Sequence, residues 1–370
     1  MGKFLVLRTL RMLAVLWVVS IATFSLVAFL PGDPVRSILG PEATPEQMAH
    51  VEAQLGLDQP WYKSYLDWLS SALTLDFGDT LVRPIQPVSQ VIGDALPITL
   101  QLAVMALILG LAGGLLLGSI AAYRPDSRLD KAITSGSFAL ISLPAFVLAL
   151  ILIRIFVFDT ERAKIAILAI AIAGTGLLVY GRLRRREPLW TSVSALAVVL
   201  WPLAVGVLLY LVLPTFPREG WVRISDDLGA NLEHAALPSI TLALGLVPLF
   251  AQLLRTDMVA TLRQNFITVS RAKGMSPRHV VLKEALRPSL FSLITVAGIS
   301  FGNLVGGSVI VEVIFGLPGL GRVLITAITA NDFAVIQTAV LVAAALFLVL
   351  NMLVDIAYNY LDPRLRRAGH

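Results

Sequence analysis

Residues 268–287 read Thr-Val-Ser-Arg-Ala-Lys-Gly-Met-Ser-Pro-Arg-His-Val-Val-Leu-Lys-Glu-Ala-Leu-Arg and separate two apolar segments, residues 235–254 and 288–311. Each flanking segment lacks Asp, Glu, Lys and Arg over about the 20 helical residues that cross a bilayer. Residues 268–287 carry five of the seven Lys and Arg side chains that lie between these segments. Such a charged loop between two membrane-length segments predicts a membrane protein whose loop contacts something outside the bilayer. Residues 255–287 are called the basic loop below.

The basic loop predicts two helices separated by a turn. The first helix runs up to Ala272, and glycine at position 274 breaks it. The second helix begins at Ser276, because serine suits an N-cap and Pro277 suits the first helical position. Pro288 is expected to separate this second helix from the next apolar segment.

The second predicted helix carries an apolar stripe among basic residues. Val281 and Ala285 lie four residues apart, as do Leu282 and Leu286, so each pair shares one helical face. One interpretation is an amphipathic helix that rests on anionic lipid headgroups. The other is a helix that inserts into a groove of a soluble partner.

Composition assigns the whole chain to a membrane. Its residues are 57% hydrophobic and 14% charged, with a mean hydropathy of +0.82. Soluble proteins hold about 45–50% apolar and about 25% charged residues. The chain has no cysteine and only four scattered histidines, so neither disulfides nor a zinc-ligand spacing is indicated.

Charge-free segments predict the fold class. Lipid offers no hydrogen-bond partners to an exposed backbone, so each long apolar segment is expected to cross the membrane as a helix. The prediction is an all-α polytopic helical bundle. Its eight segments are residues 13–30, 98–123, 132–153, 165–181, 188–217, 235–254, 288–311 and 333–354.

Lysine and arginine are distributed unequally between the two sides of the predicted bundle. Twenty lie on the side of the basic loop and both termini, and six lie in the short loops of the other side. The positive-inside rule therefore predicts that both termini are cytoplasmic. The net charge of +5 follows from this topology and requires no nucleic-acid partner.

The long segment at residues 31–97 is predicted to be external and contains clustered aromatic residues. Trp61, Tyr62, Tyr65 and Trp68 lie in a stretch with helical spacing. We favour an interfacial belt or local packing for them. The alternative is a vestibule that a partner contacts.

Glycines at four-residue intervals predict closely packed helices. Gly110, Gly114 and Gly118 form one such series, and Gly302 and Gly306 form another. Small residues let helix backbones approach where lipid removes the hydrophobic driving force.

Several motifs together resemble the permeases of ATP-binding-cassette importers in their dipeptide and oligopeptide branch. Within the basic loop these are Arg271-Ala-Lys-Gly274, Ser276 and Ala285-Leu-Arg287. Eight further motifs follow in the order of the family: Pro31-Gly-Asp-Pro34, Asp76-Phe-Gly-Asp79, Leu96-Pro-Ile-Thr-Leu100, Ser142-Leu-Pro-Ala-Phe146, Leu237-Pro-Ser-Ile-Thr241, Val311-Glu-Val-Ile-Phe315, Leu317-Pro-Gly-Leu-Gly321 and Leu361-Asp-Pro-Arg364.

The resemblance implies a type I importer membrane domain with a six-helix core and an inserted hairpin at residues 154–217. The other parts are the first helix (1–30), the external segment (31–97), helices two and three (98–153), the permease core (235–360) and a cytoplasmic tail (361–370). It also implies a bacterial or archaeal inner-membrane location. The implied partners are a second permease, one or two ATPases, an extracytoplasmic substrate-binding protein and membrane lipid.

The same resemblance implies the functional residues. The residues expected to couple to the ATPases are Arg271, Ala272, Lys273, Gly274, Met275, Ser276, Pro277 and Arg278, which we call the coupling surface. Those expected at the gate or pore are Gly306, Ser308 and Glu312, with an ion pair between Glu312 and Arg322 as the other role for the glutamate. Two departures from the family pattern are Thr268-Val-Ser270 in the slot that names the loop, and Ser292 where a proline is usual.

Other functions find less support in the residues. No Gly-x-x-x-x-Gly-Lys-Ser/Thr sequence occurs, so ATP and Mg²⁺ are expected on partner subunits and no cofactor on this chain. A Ser-His-Asp hydrolase would need a histidine within a membrane span, and no charge-free segment of this chain contains one away from its edges. A stand-alone carrier would need intramembrane charges and an inverted repeat, and the sequence shows neither. For the substrate, nickel chelates, glutathione and oligosaccharides stay open beside peptides.

Overall fold

The computed structural model describes residues 2–29, 35, 44–46, 48, 52, 59–184, 193–212, 216–217 and 219–361. These residues are almost entirely helical, with one isolated β-bridge between Asp79 and Pro87. The predicted all-α class is confirmed. Most of residues 31–58, the side chains of residues 182–186 and the tail from residue 362 lie outside this description.

The described residues include fourteen α-helices. They are α1 (Gly2–Phe29), α2 (Trp61–Leu73), α3 (Val88–Tyr123), α4 (Arg128–Ile141), α5 (Ala145–Ile153), α6 (Thr160–Arg184), α7 (Val193–Val212), α8 (Leu228–Leu262), α9 (Asn265–Ala272), α10 (Pro277–His279), α11 (Leu286–Gly307), α12 (Val309–Ile314), α13 (Leu320–Ala330) and α14 (Phe333–Leu361). Two π-helical stretches, Arg154–Phe158 and Val280–Ala285, follow α5 and α10.

Six helices in the described part of the chain are long and apolar enough to cross a membrane. They are α1, α3, α6, α8, the continuous helix Pro277–Gly307 and α14, and α4 with α5 makes a seventh if the pair is one broken span. The remaining predicted segment, residues 188–217, contains α7.

Residues 132–153 do not form the single helix that was predicted. α4 ends at Ile141, where the Ser142 hydroxyl donates to the Phe138 carbonyl at 2.8 Å, and α5 begins at Ala145. Pro144 has no amide to donate and disfavours helical conformation at the residue before it. The span is therefore broken.

The predicted start of the second span at residue 98 is also wrong, because α3 begins ten residues earlier and includes Pro97. The proline deprives the Gly93 carbonyl of its helical partner. Val88 and Ile92 before it are buried against α13 and α14. This packing stabilises the helix through the proline.

Ring contacts hold α2 against α1. The ring of Phe24 lies 5.9, 5.6 and 5.6 Å from the rings of Trp61, Tyr65 and Trp68. The buried Tyr65 hydroxyl is 2.8 Å from Ser20 Oγ. These contacts support the local-packing interpretation for three of the four aromatic residues, while Tyr62 is exposed.

Glycines bring α3 and α8 together as predicted. A Cβ added at Gly114 would lie 2.4 Å from Phe250 Cβ, and one at Gly118 would lie 2.9 Å from the Ala251 carbonyl oxygen. A Cβ added at Gly110 would lie 2.8 Å from Leu246 Cβ. All three positions therefore need glycine for close approach.

The second predicted glycine pair is only half correct. A Cβ at Gly298 would meet Val354 at 2.5 Å and one at Gly302 would meet Phe347 at 3.1 Å, so these two glycines seat α11 on α14. Gly306 meets nothing within 4 Å and is exposed. The close contact lies one turn earlier than the spacing suggested.

Residues 74–87 are fixed to the end of the bundle where α3 and α14 begin. Asp332 Oδ2 accepts the backbone amides of Leu81 and Val82 at 3.0 and 3.3 Å, and its Oδ1 accepts the Val335 amide at 3.3 Å. Phe77 and Leu81 pack on the buried cluster beneath. One buried carboxylate thus caps α14 and anchors this loop.

The chain divides into two compact units, residues 1–145 with 238–370, and residues 146–237. In the second unit α6 and α7 form a hairpin in which a Cβ at Gly206 would lie 2.2 Å from Ala171 Cβ. At the start of this hairpin Arg154 and Asp159 form an ion pair at 2.8 Å.

Candidate functional site

The turn of the basic loop has the form that its sequence predicts. Lys273 follows the last residue of α9, the Gly274 amide donates to the Arg271 carbonyl at 3.0 Å, and the Met275 amide donates to the Ser270 carbonyl at 3.3 Å. This pair of bonds is a Schellman motif, with glycine in left-handed conformation at φ +76°. The break at Gly274 is confirmed.

The next helix starts at the predicted cap. Ser276 Oγ accepts the His279 amide at 3.4 Å, and Pro277 occupies the first helical position. The helix then widens to π winding over Val280–Ala285 and continues directly into α11. The separation predicted at Pro288 is wrong. Pro288 lies inside this continuous helix, and the π turn before it relieves crowding of its ring against the preceding turn.

The apolar stripe of this helix faces the chain's own core. Val281 and Ala285 are buried in one cluster with Phe250, Leu254 and Leu293 of α8 and α11. Val281 and Ala285 therefore hold the loop to the bundle, and this pair is not available to a partner. On the other side Leu282 is 55% exposed.

The coupling surface lies on the outside of the loop. All eight of its residues, Arg271 to Arg278, are exposed. Beside it a groove of about 440 Å³ is lined by Phe266, Leu282 and Glu284 among others. The surface thus combines basic side chains, apolar side chains and a rigid turn.

Polar contacts join the two helices that emerge from the basic loop. The Ser292 hydroxyl of α11 donates to Asp257 Oδ2 of α8, and Thr261 Oγ1 lies 3.4 Å from Ser289 Oγ. Ser289 also donates to the Ala285 carbonyl at 2.9 Å. We call this set the brace. It joins α8 to α11 at the two ends of the loop.

A buried ion pair fixes α4 to α8 near the loop. Arg255 donates through Nε and Nη2 to the two carboxylate oxygens of Asp130 at 2.5 and 2.6 Å. Asp130 is 2% exposed and also accepts the Asp126 amide at 2.8 Å. Bidentate geometry of this kind is among the stronger polar contacts in proteins.

At the opposite end of α3, Glu312 is fully buried and accepts four hydrogen bonds. Its Oε1 accepts the hydroxyls of Thr99 at 2.8 Å and Ser308 at 2.7 Å. Its Oε2 accepts the amides of Gly321 at 2.8 Å and Arg322 at 3.2 Å, at the start of α13. A carboxylate at a helix N-terminus is favoured by the helix dipole. Glu312 thus joins α3, α12 and α13.

The expected ion pair between Glu312 and the Arg322 side chain is replaced by this backbone contact. The guanidinium of Arg322 donates instead to the Gly316 carbonyl. Gly319 is required here, because a Cβ at this position would lie 2.5 Å from the Glu312 carboxylate. Of the predicted gate residues, Glu312 and Ser308 are therefore interior, and Gly306 is on the surface.

Comparison with known proteins places these features in a family. Residues 114–367 match the inner membrane component of binding-protein-dependent transport systems, and residues 1–83 match the N-terminal part of such membrane components. The chain belongs to this family of importer permeases.

Three relatives align with the permease over nearly its whole length. A putative peptide transport system permease protein of Brucella abortus (strain 2308) is 34% identical over 97% of both chains. The dipeptide transport system permease protein of Alkalihalophilus pseudofirmus is 31% identical over 97% of this chain and 98% of its own. The glutathione transport system permease protein of Escherichia coli (strain K12) is 30% identical over 99% of both. The resemblance inferred from the motifs is thereby confirmed.

Sequence reasoning missed three side-chain arrangements of the permease. The Asp130–Arg255 pair joins residues 125 positions apart, the brace joins Asp257 to a serine noted only as a family departure, and Asp332 was not singled out. A signal did exist for the Asp130–Arg255 pair and for Asp257, since a charged residue at the edge of an apolar span needs a partner. Among the described residues, no group of three or more His, Asp or Glu is placed to hold a metal ion.

Proposed function

We propose that this permease imports dipeptides or oligopeptides as one half of a pore, driven by separate ATPase subunits that bind ATP and Mg²⁺. The observation that carries the proposal is the exposed coupling surface on a loop whose two ends are joined by the brace. Relatives named for peptide, dipeptide and glutathione transport support the substrate class, and glutathione is itself a tripeptide.

In this proposal the basic loop and both termini are cytoplasmic, as the distribution of Lys and Arg predicts. ATP binding draws the ATPases together, and the coupling surface moves with them. Because Val281 and Ala285 are packed into the core, the loop moves as one body with α8 and α11. Discrete rearrangements of packed helices of this kind are a common basis of switching.

A second permease completes the pore in this proposal, and α11 offers a surface for it. Ile299, Asn303 and Gly306 recur at three- and four-residue intervals and are all exposed. Gly306 has open space around it, so a partner helix can approach closely there. An extracytoplasmic binding protein delivers the substrate to the opposite side.

Single cysteines test the coupling, because the chain has none of its own. Met275→Cys and Arg278→Cys are expected to cross-link to the ATPase, whereas Arg83→Cys, in the loop at the opposite end, is not. The matched readout is substrate-stimulated ATP hydrolysis in the reconstituted complex before and after cross-linking. Efficient cross-links from position 83, or none from 275 and 278, would reject the proposal.

The substrate is tested separately by purifying the cognate binding protein and identifying its ligand by mass spectrometry. Short peptides are expected. Glutathione as the sole ligand narrows the class to one tripeptide. A nickel chelate or an oligosaccharide contradicts the peptide assignment while leaving the coupling result intact.

A further inference from the structure

A second groove lies beside the basic loop, at the point where α3 ends. Its volume is about 1010 Å³, larger than the groove of about 440 Å³ lined by Phe266, Leu282 and Glu284. One wall is formed by Leu116 and Ile120 of α3, and the rim carries Tyr123 and Arg124. Arg128 at the start of α4 and Arg278 of the coupling surface complete the rim. The turn between α3 and α4 and the distant basic loop therefore bring arginines to one opening.

The wall of this groove belongs to a membrane-spanning helix. Leu116 and Ile120 lie within the candidate span Val88–Tyr123, and both side chains are substantially exposed. They face hydrocarbon when α3 crosses the bilayer. Tyr123 marks the level at which the span ends, since tyrosine favours the headgroup region. The groove thus runs from the acyl-chain region to the interface.

The rim carries positive charge without a protein counter-ion. Among the residues that the structure describes, Arg124, Arg128 and Arg278 form no ion pair with a carboxylate. The buried carboxylate nearest in sequence, Asp130, is engaged by Arg255. The guanidinium of Arg124 lies 5.8 Å from the Tyr123 ring centroid, at the rim of the groove. Three guanidiniums around an apolar channel favour an anionic headgroup with an apolar tail.

We propose that this groove binds one acidic phospholipid, with its phosphate among Arg124, Arg128 and Arg278 and an acyl chain along Leu116 and Ile120. The site rests on the membrane orientation given above and is independent of the transported substrate. Arg278 belongs to both the groove and the coupling surface. Membrane charge therefore acts directly on the loop that meets the ATPase.

Native mass spectrometry of the purified full-length permease tests the site. The protein is titrated with phosphatidylglycerol and, separately, with phosphatidylcholine of the same acyl chains, and retained lipids are counted. Preferential retention of phosphatidylglycerol is expected. Arg124→Gln and Arg128→Gln each lower that retention about fivefold, since one basic residue near an anionic lipid contributes about 1 kcal/mol.

Arg263→Gln is the matched control, because Arg263 is an exposed arginine of the same loop that does not line the groove. Its retention of phosphatidylglycerol is expected to equal that of the unmodified chain. An equal loss in Arg263→Gln, or equal retention of the two lipids, overturns the proposal in favour of diffuse surface charge.

Two further arms distinguish other occupants. Glycerol phosphate displaces the lipid at comparable concentration only if the groove is a simple anion site, and that result overturns the assignment to lipid. Assembly with the ATPase removes the lipid only if the ATPase covers Arg124 and Arg128 as well as Arg278, which also overturns it. Retention in both arms supports the proposal, and neither result alters the test of peptide import.

Discussion

At Gly274 the backbone adopts φ +76° while the position that a Cβ would take meets no atom within 4 Å. The requirement is therefore conformational and not steric, since a left-handed conformation costs an L-residue about 1–2 kcal/mol. Gly274→Val is expected to distort the turn and to lower both uptake and substrate-stimulated ATP hydrolysis. Gly274→Asn is the control, because asparagine tolerates this conformation. Equal activity of the two variants would show that the turn geometry is irrelevant to coupling.

Glu312 presents a different requirement, because four donors converge on one buried carboxylate. In Glu312→Gln an NH2 group replaces one acceptor oxygen and cannot accept the hydrogen bonds donated to it. The free energy of unfolding is therefore expected to fall by about 2–3 kcal/mol. Ser308→Ala removes only one of the four donors and is expected to cost about 1 kcal/mol. Thermal unfolding in detergent measures both variants. A glutamine variant as stable as the unmodified chain would contradict the role given to the charge.

Between elements, the Asp130–Arg255 pair is the clearest single connection of α4 to α8. Removing one partner leaves the other charge buried without a counter-ion. Asp130→Asn or Arg255→Gln is therefore expected to lower the free energy of unfolding by about 3 kcal/mol, the lower end of the range for buried pairs. The lower value applies because Arg255 remains 27% exposed. The double variant is expected to lose less than the sum of the single losses. Strict additivity in this cycle would show that the two residues do not interact.

The elements also show where the sequence was sufficient and where it was not. Apolar length and turn chemistry predicted most of the spans, the break at Gly274 and the cap at Ser276, because these depend on neighbouring residues. Proline was misleading in both directions: Pro97 and Pro288 lie inside helices that packing or π winding stabilises, whereas Pro144 breaks its span. The networks of Glu312 and Asp130 depend on contacts across more than a hundred residues, which local pattern does not reveal.

For the whole molecule, the division into two units leads to a deletion experiment. The carboxylate networks, the brace and the coupling surface all lie in the unit formed by residues 1–145 and 238–370. Removing residues 160–212 deletes two helices and therefore preserves the sidedness of every other span. The shortened permease is expected to insert and to retain substrate-stimulated ATP hydrolysis, measured with its partners in proteoliposomes. Normal insertion with abolished stimulation would assign the hairpin a part in coupling.

Helix α3 touches the Glu312 network through Thr99 and the cluster beneath the basic loop through Ala122. Its 36 residues extend about 54 Å, well beyond the roughly 30 Å of hydrocarbon that a bilayer provides. Such a rod matches the membrane by tilting or by projecting from it. A change in bilayer thickness therefore alters the inclination of one helix and, through it, shifts the Glu312 network and the cluster beneath the basic loop at the same time.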